Sequence, residues 1–128
     1  MRAIKRSHGA LTPEEIGPLF EGLVAQLLRA YKDYRRIFDD MYYWAPAGGI
    51  ETGVDFLLKR NREFIAVEAK SGRRFSEKWC KGLRAISDLN GLQRRIVVYF
   101  HGFVMRTDDG IDVFPFDYFA GLLAENRL

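Results

Sequence analysis

Gly53-Val54-Asp55-Phe56-Leu57-Leu58 and, a few residues later, Phe64-Ile65-Ala66-Val67-Glu68-Ala69-Lys70 decide how this chain folds. Each run is short, apolar and free of proline, and Arg60-Asn61-Arg62 between them has turn character, so two paired strands are expected over residues 53–59 and 63–70. Side chains alternate along a strand, which puts Glu68 and Lys70 on one face and Ile65, Val67 and Ala69 on the other. A strand buried on both faces excludes charge, so an acid and an ammonium at the end of an apolar run indicate a sheet margin. Asp is poor in strands, and Asp55 needs a reason to stand before Phe56-Leu57-Leu58.

Outward from this pair, the chain alternates helix and strand signals. Thr12-Pro13-Glu14-Glu15 has the form of a capping box, with Thr12 as N-cap, Pro13 in the first position and Glu15 reaching back. Gly17-Pro18 predicts a short turn there, because proline lacks an N–H and clashes with the turn before it. The main helix is then expected from Pro18 to Tyr34, carried by Leu19, Phe20, Leu23, Val24, Leu27, Leu28 and Tyr31 at helical spacing, with Glu21 at the edge of that stripe. Met41 to Trp44 reads as a strand whose aromatics belong to the core, and Gly48-Gly49 as a turn.

Downstream, Ser76 is the expected N-cap of a helix that buries Trp79, Leu83, Ile86 and Leu89 and stops at Asn90-Gly91. Arg95 to Phe100 is apolar enough for a central strand, and the helix before it allows a crossover to a parallel position. Phe103–Arg106 and Ile111–Phe114 flank Asp108-Asp109-Gly110 as a hairpin, and a last helix is expected from Phe116 to Asn126. Residues 1–11 form a basic, aperiodic arm, and residues 12–128 a single domain.

With 128 residues, 48% apolar content and ten Phe, six Tyr and two Trp, the chain can build one real core. A formal charge of +3 permits a polyanionic partner without demanding one. Cys80 is the single cysteine, which excludes an intramolecular disulfide and a cysteine-rich zinc site. The first residues lack the apolar segment of a signal peptide and no stretch has the length of a membrane span, so a reducing, cytoplasmic setting without membrane contact is expected.

An Asp on one strand and Glu-x-Lys on the next, here Asp55, Glu68 and Lys70, resembles the signature of the PD-(D/E)XK nuclease superfamily. More narrowly, Leu19 to Gln26, Tyr42-Tyr43-Trp44, Val54 to Leu58, Val67 to Gly72, Lys81 to Ala85 and Arg95 to Tyr99 resemble the domain of unknown function at the C-terminus of many prokaryotic AAA-type ATPases, over about residues 11–125. The resemblance implies an α/β fold, a restriction-endonuclease-like αβββαβ core with a mixed central sheet flanked by helices and a C-terminal hairpin and helix. It implies a metal-dependent phosphodiester hydrolase acting on DNA, with Glu21, Asp55, Glu68 and Lys70 catalytic. Mg²⁺ or Mn²⁺ would be held by Asp55, Glu68 and the main chain of Ala69, since a hard ion takes oxygen ligands. Lys70 would orient or deprotonate the attacking water, and Glu21 would assist through water or a second ion.

Among the basic doublets, Arg73 and Arg74 follow Lys70 most closely and are the expected phosphate contacts; Arg35-Arg36, Arg94-Arg95, Lys59, Arg60 and Arg62 read as solvated surface. One departure stands out. Relatives carry a Glu two residues before the strand Asp, where this chain has Gly53; Glu51 is one candidate substitute, and a bulge that re-aims Asp55 is the other reading of Gly53.

Each residue also has a plainer reading. Glu68 and Lys70 can be a surface pair worth about 0–1 kcal/mol, Asp55 a strand-margin carboxylate, and Glu21 a first-turn acid favoured by the helix dipole. On that reading the chain is an interaction or accessory domain, partnered with an ATPase module or a second copy, or binds nucleic acid without cutting it. It has no Gly-x-x-x-x-Gly-Lys-Ser/Thr loop, so ATP hydrolysis by that route is excluded.

Overall fold

The structure, a computed structural model, describes residues 12–47 and 52–128. The expected basic arm, the Gly48-Gly49 turn and Glu51 lie outside the described residues. The elements are α1 (Pro13–Arg35), β1 (Asp40–Trp44), β2 (Val54–Arg60), β3 (Glu63–Lys70), a 3₁₀ turn (Glu77–Cys80) that runs into α2 (Lys81–Ala85), β4 (Leu92–Tyr99), β5 (Met105–Arg106), β6 (Asp112–Pro115) and α3 (Phe116–Ala124). The αβββαβ order, with a hairpin and helix appended, is the expected one.

Six strands form one mixed sheet in the order β1-β2-β3-β4-β6-β5. β1, β2 and β3 are an antiparallel meander, β3–β4 and β4–β6 are parallel, and β5–β6 is antiparallel. Alternation along β3 sends Ile65, Val67 and Ala69 into the core beneath α1 and α3, where they meet Phe20, Val24, Leu28, Phe119 and Leu123. Ala66 enters the opposite core, closed by Cys80, Leu83 and Ile86. The sheet is therefore covered on both faces, as its parallel half requires.

Two expectations about helices are corrected. α1 runs unbroken through Pro18. The hydrogen bond that proline forfeits would have gone to the Glu14 carbonyl, and both residues are exposed near the start of the helix. The capping box does form: the Glu15 carboxylate accepts from the Thr12 N–H at 2.9 Å. The second helix is a 3₁₀ turn and five α-helical residues rather than one helix to Asn90. Ser76 does cap it, its Oγ accepting from Lys78 N–H at 3.4 Å. Beyond Ile86 the chain turns down to β3, where Gly91, at φ +89°, accepts from the Phe64 N–H at 2.9 Å and starts β4.

β1 also differs from expectation. As the edge strand it buries neither Tyr42 nor Tyr43, which are 46% and 64% exposed, while Met41 and Trp44 pack inward. The hairpin forms, but its first strand is confined to Met105–Arg106, leaving Phe103 and Val104 outside the sheet and exposed. No helix among the described residues is long and apolar enough to cross a membrane.

Candidate active site

The register of β2 against β3 runs from Arg60↔Glu63 to Phe56↔Val67. One step further, cross-strand bonds pass to side chains. The Asp55 N–H donates to Glu68 Oε1 at 2.9 Å, and the Ala69 N–H donates to Asp55 Oδ2 at 2.9 Å. Each carboxylate thus takes a main-chain donor of the facing strand, which satisfies that N–H and holds the two acids side by side.

Asp55 reaches this position through a bulge. Tyr42 of β1 is opposite Leu57 and Trp44 opposite Val54, so two steps on β1 match three on β2. Val54 and Leu57, an odd number of residues apart, consequently share the core beneath α2, while Phe56 enters the core beneath α1. Asp55 lies within the extra residue's span, the re-aiming that a bulge provides.

Gly53 has its own steric reason. A Cβ there would overlap the Tyr43 hydroxyl and come within 2.9 Å of the Trp44 carbonyl. A Cβ at Gly82 would in turn overlap the Gly53 carbonyl, so α2 is packed against the entry to β2. A side chain at this place would require Tyr43 and the Trp44 carbonyl to shift.

Glu68 is 6% exposed, and its second oxygen lies 3.4 Å from Lys70 Nζ. Lys70 pairs with Tyr99 at the end of β4, so its ammonium reaches the sheet margin and remains partly in water. Burial, then the charge of Glu68, push the Asp55 carboxyl up from 3.8 to about 7; the Ala69 N–H and Lys70 oppose that rise without cancelling it. Glu21 on α1 is exposed, yet loss of water and then the charge of Asp55 raise its carboxyl, with Lys70 acting in the opposite sense. Glu21, Asp55, Glu68 and Lys70 therefore share one electrostatic environment although they come from three elements.

Among the described residues no three His, Cys, Asp or Glu side chains converge as a metal cage. The acidic donor set is the pair Asp55 and Glu68. Ala69 stands between Glu68 and Lys70, its side chain in the core and its N–H on Asp55. The donors suit a hard divalent ion that keeps much of its water: anionic oxygens of two carboxylates, one of them held with a raised pKa.

A family model for a domain of unknown function, DUF4143, matches residues 16–119, from α1 into α3 and across the whole of this constellation. The chain belongs to the DUF4143 family. No curated protein matches it.

In this DUF4143 domain Arg73 and Arg74 are exposed in the segment after β3. Neither has a carboxylate partner among the described residues, whereas Arg94 and Arg106 bind Asp112 and Arg84 binds Glu77 and Asp109. Arg94 and Arg95, expected as solvated surface, are tethers instead, Arg95 donating to the Leu83 carbonyl at 3.2 Å. Sequence reasoning missed Phe100. Its ring lies under the Arg73 guanidinium at 5.1 Å, whereas the sequence marked it only as the last residue of a central strand, which in the structure ends at Tyr99.

Proposed function

We propose that this domain is a metal-dependent phosphodiester hydrolase of the PD-(D/E)XK type, acting on DNA. The observation that carries the proposal is the reciprocal exchange of main-chain donors between Asp55 and Glu68, with the Lys70 ammonium on Glu68. A surface ion pair needs no second acid; here a second carboxylate, itself half-buried, is held against the first with its pKa raised, a cost that a cation would relieve.

Asp55, Glu68 and the Ala69 carbonyl would hold Mg²⁺ or Mn²⁺. Bound there, the ion supplies Lewis acidity and a more acidic water. Lys70 orients the attacking water by its N–H donors and offsets negative charge that builds on the phosphate. Glu21, in the field of Asp55 and Lys70, assists through water. Arg73 and Arg74 take neighbouring phosphates of the strand.

A second reading keeps the fold and drops the chemistry. Leu19 and Leu23 on α1 are 59% and 46% exposed, an apolar surface that favours an interaction domain serving an ATPase module. Incubating the protein with supercoiled, linear and branched DNA in Mg²⁺ or Mn²⁺ separates the two. The enzymatic reading expects cleavage that needs the ion and is lost in Asp55→Ala; no cleavage of any form, or cleavage unchanged in Asp55→Ala, contradicts it.

A further inference from the structure

Phe100 follows directly on Tyr99, which is paired with Lys70. Its N–H donates to the Gly72 carbonyl at 3.1 Å, which ties it to the segment carrying Arg73 and Arg74. Phe20 of α1, adjacent to Glu21, meets the Phe100 ring edge-on with centroids 6.1 Å apart. The ring is held by these neighbours and is still 45% exposed.

Three residues later Phe103 is 83% exposed. Its backbone is anchored: the Phe103 carbonyl accepts from the hydroxyl of buried Tyr99 at 2.6 Å, and a Cβ at Gly102 would overlap that hydroxyl. An apolar ring carried outward on a seated loop is a surface feature that burial does not explain. Segments 71–75 and 100–104 together contain two Arg, one His and three Phe, with no Asp or Glu. The Arg73 guanidinium lies over the Phe100 ring, 5.1 Å from its centroid, and has no carboxylate partner among the described residues.

We propose that Phe100, Arg73 and Phe103 form a stacking platform for the unpaired bases of single-stranded DNA at the edge of the Asp55–Glu68–Lys70 site. Every base has a π-face, so aromatic rings beside a phosphate-binding guanidinium accept a strand without reading its sequence. A duplex keeps those faces inside its own stack, and the rings meet bases only where strands are parted, as at a flap, a frayed end or a single-stranded tail. The two segments add no acid of their own, which suits a polyanion, and a flat ring under the guanidinium, with a second exposed ring three residues on, suits bases rather than the carboxylate side chains of an acidic protein. The choice of DNA rests on the nuclease reading; the stacking surface itself does not.

The test is fluorescence anisotropy of the full chain in EDTA, with labelled oligodeoxythymidylate and a hairpin duplex of equal length, over a range of salt. Wild type is expected to prefer the single strand. Phe103→Ser and Phe100→Leu should each weaken that binding by about 5- to 100-fold, with duplex binding and the salt dependence unchanged. Arg73→Ala should instead lower the salt slope on the single strand by roughly 0.7 for each phosphate that the guanidinium neutralises. Equal weakening on single strand and duplex, or none in either Phe variant, overturns the platform. So does concentration-dependent self-association that Phe103→Ser abolishes, because the ring then belongs to an interface between copies. Since binding is read without divalent ion, a chain that binds through these rings but never cleaves overturns the nuclease reading alone. One that cleaves single-stranded DNA, at concentrations below saturation, with rates unchanged in both Phe variants overturns the platform alone.

Discussion

Replacing Asp55 by Asn should stabilise this fold at neutral and alkaline pH while destroying its response to metal. The Asp55 carboxyl lies at about 7 in the folded protein against an ordinary 3.8. Each pKa unit between folded and unfolded states is worth about 1.4 kcal/mol, so full ionisation costs the fold up to about 4 kcal/mol. Because the folded value is the higher one, this stability is fully present below about pH 4 and is lost as pH rises through about 7. The charge of Glu68 is one source of the rise, so the cost belongs to the pair.

Asn keeps an oxygen for the Ala69 N–H and removes the charge, so Asp55→Asn is expected to gain about 1–3 kcal/mol at pH 8 and under about 1 kcal/mol at pH 4.5. Urea unfolding at the two pH values, without divalent ions, measures both gains. Mg²⁺ at ten times its dissociation constant should add about 1.4 kcal/mol to wild type and nothing to the variant. For a chain of this size that is a rise in melting temperature of roughly 3–8 °C. A variant destabilised equally at both pH values, or a Mg²⁺ response identical in the two proteins, would refute the argument and leave Asp55 as a structural acceptor for Ala69.

Gly53→Ala should lower stability by roughly 1–3 kcal/mol, since its Cβ meets the Tyr43 side chain and the Trp44 carbonyl; Tyr43→Ala in the same chain should recover part of the loss, and a neutral Gly53→Ala in thermal melts would remove the steric account of that glycine. Asp112, 4% exposed and bound by Arg94 at 2.9 Å and Arg106 at 2.7 Å, joins β6 to β4 and β5; Asp112→Ala should cost roughly 1–3 kcal/mol in urea unfolding, at the modest end because both guanidiniums reach water.

Local signals accounted for much of the fold. The capping box, the tight turn expected at Arg60-Asn61-Arg62 and the Asp108-Asp109-Gly110 hairpin all depend on residues close in sequence, and each was readable; in the structure Arg60 closes β2 and the turn is Asn61-Arg62. Alternation along β3 already separated Glu68 and Lys70 from Ile65, Val67 and Ala69, which is why the carboxylate site was legible. What escaped depends on distant neighbours. Pro18 is tolerated because the bond it forfeits lies at an exposed helix start, a circumstance fixed by packing rather than by the dipeptide. The second helix is short because the chain must turn at Gly91 to begin β4 beside Phe64. Tyr42 and Tyr43 are exposed because β1 lies at the sheet edge, and strand order has no signature within the strand itself. The Arg73–Phe100 stack joins segments that follow different strands, so neither residue announces the other.

Chemistry at the Lys70 ammonium beside the Asp55–Glu68 pair is tested most directly by the nicking rate of supercoiled DNA in Mn²⁺ or Mg²⁺ for wild type and Lys70→Ala. Wild type should nick in either ion and not in Ca²⁺, and Lys70→Ala should be slower by about 100-fold or more, as for loss of a group that stabilises charge at the reacting phosphate. Equal rates for the two proteins, or nicking that persists in EDTA, would contradict the account.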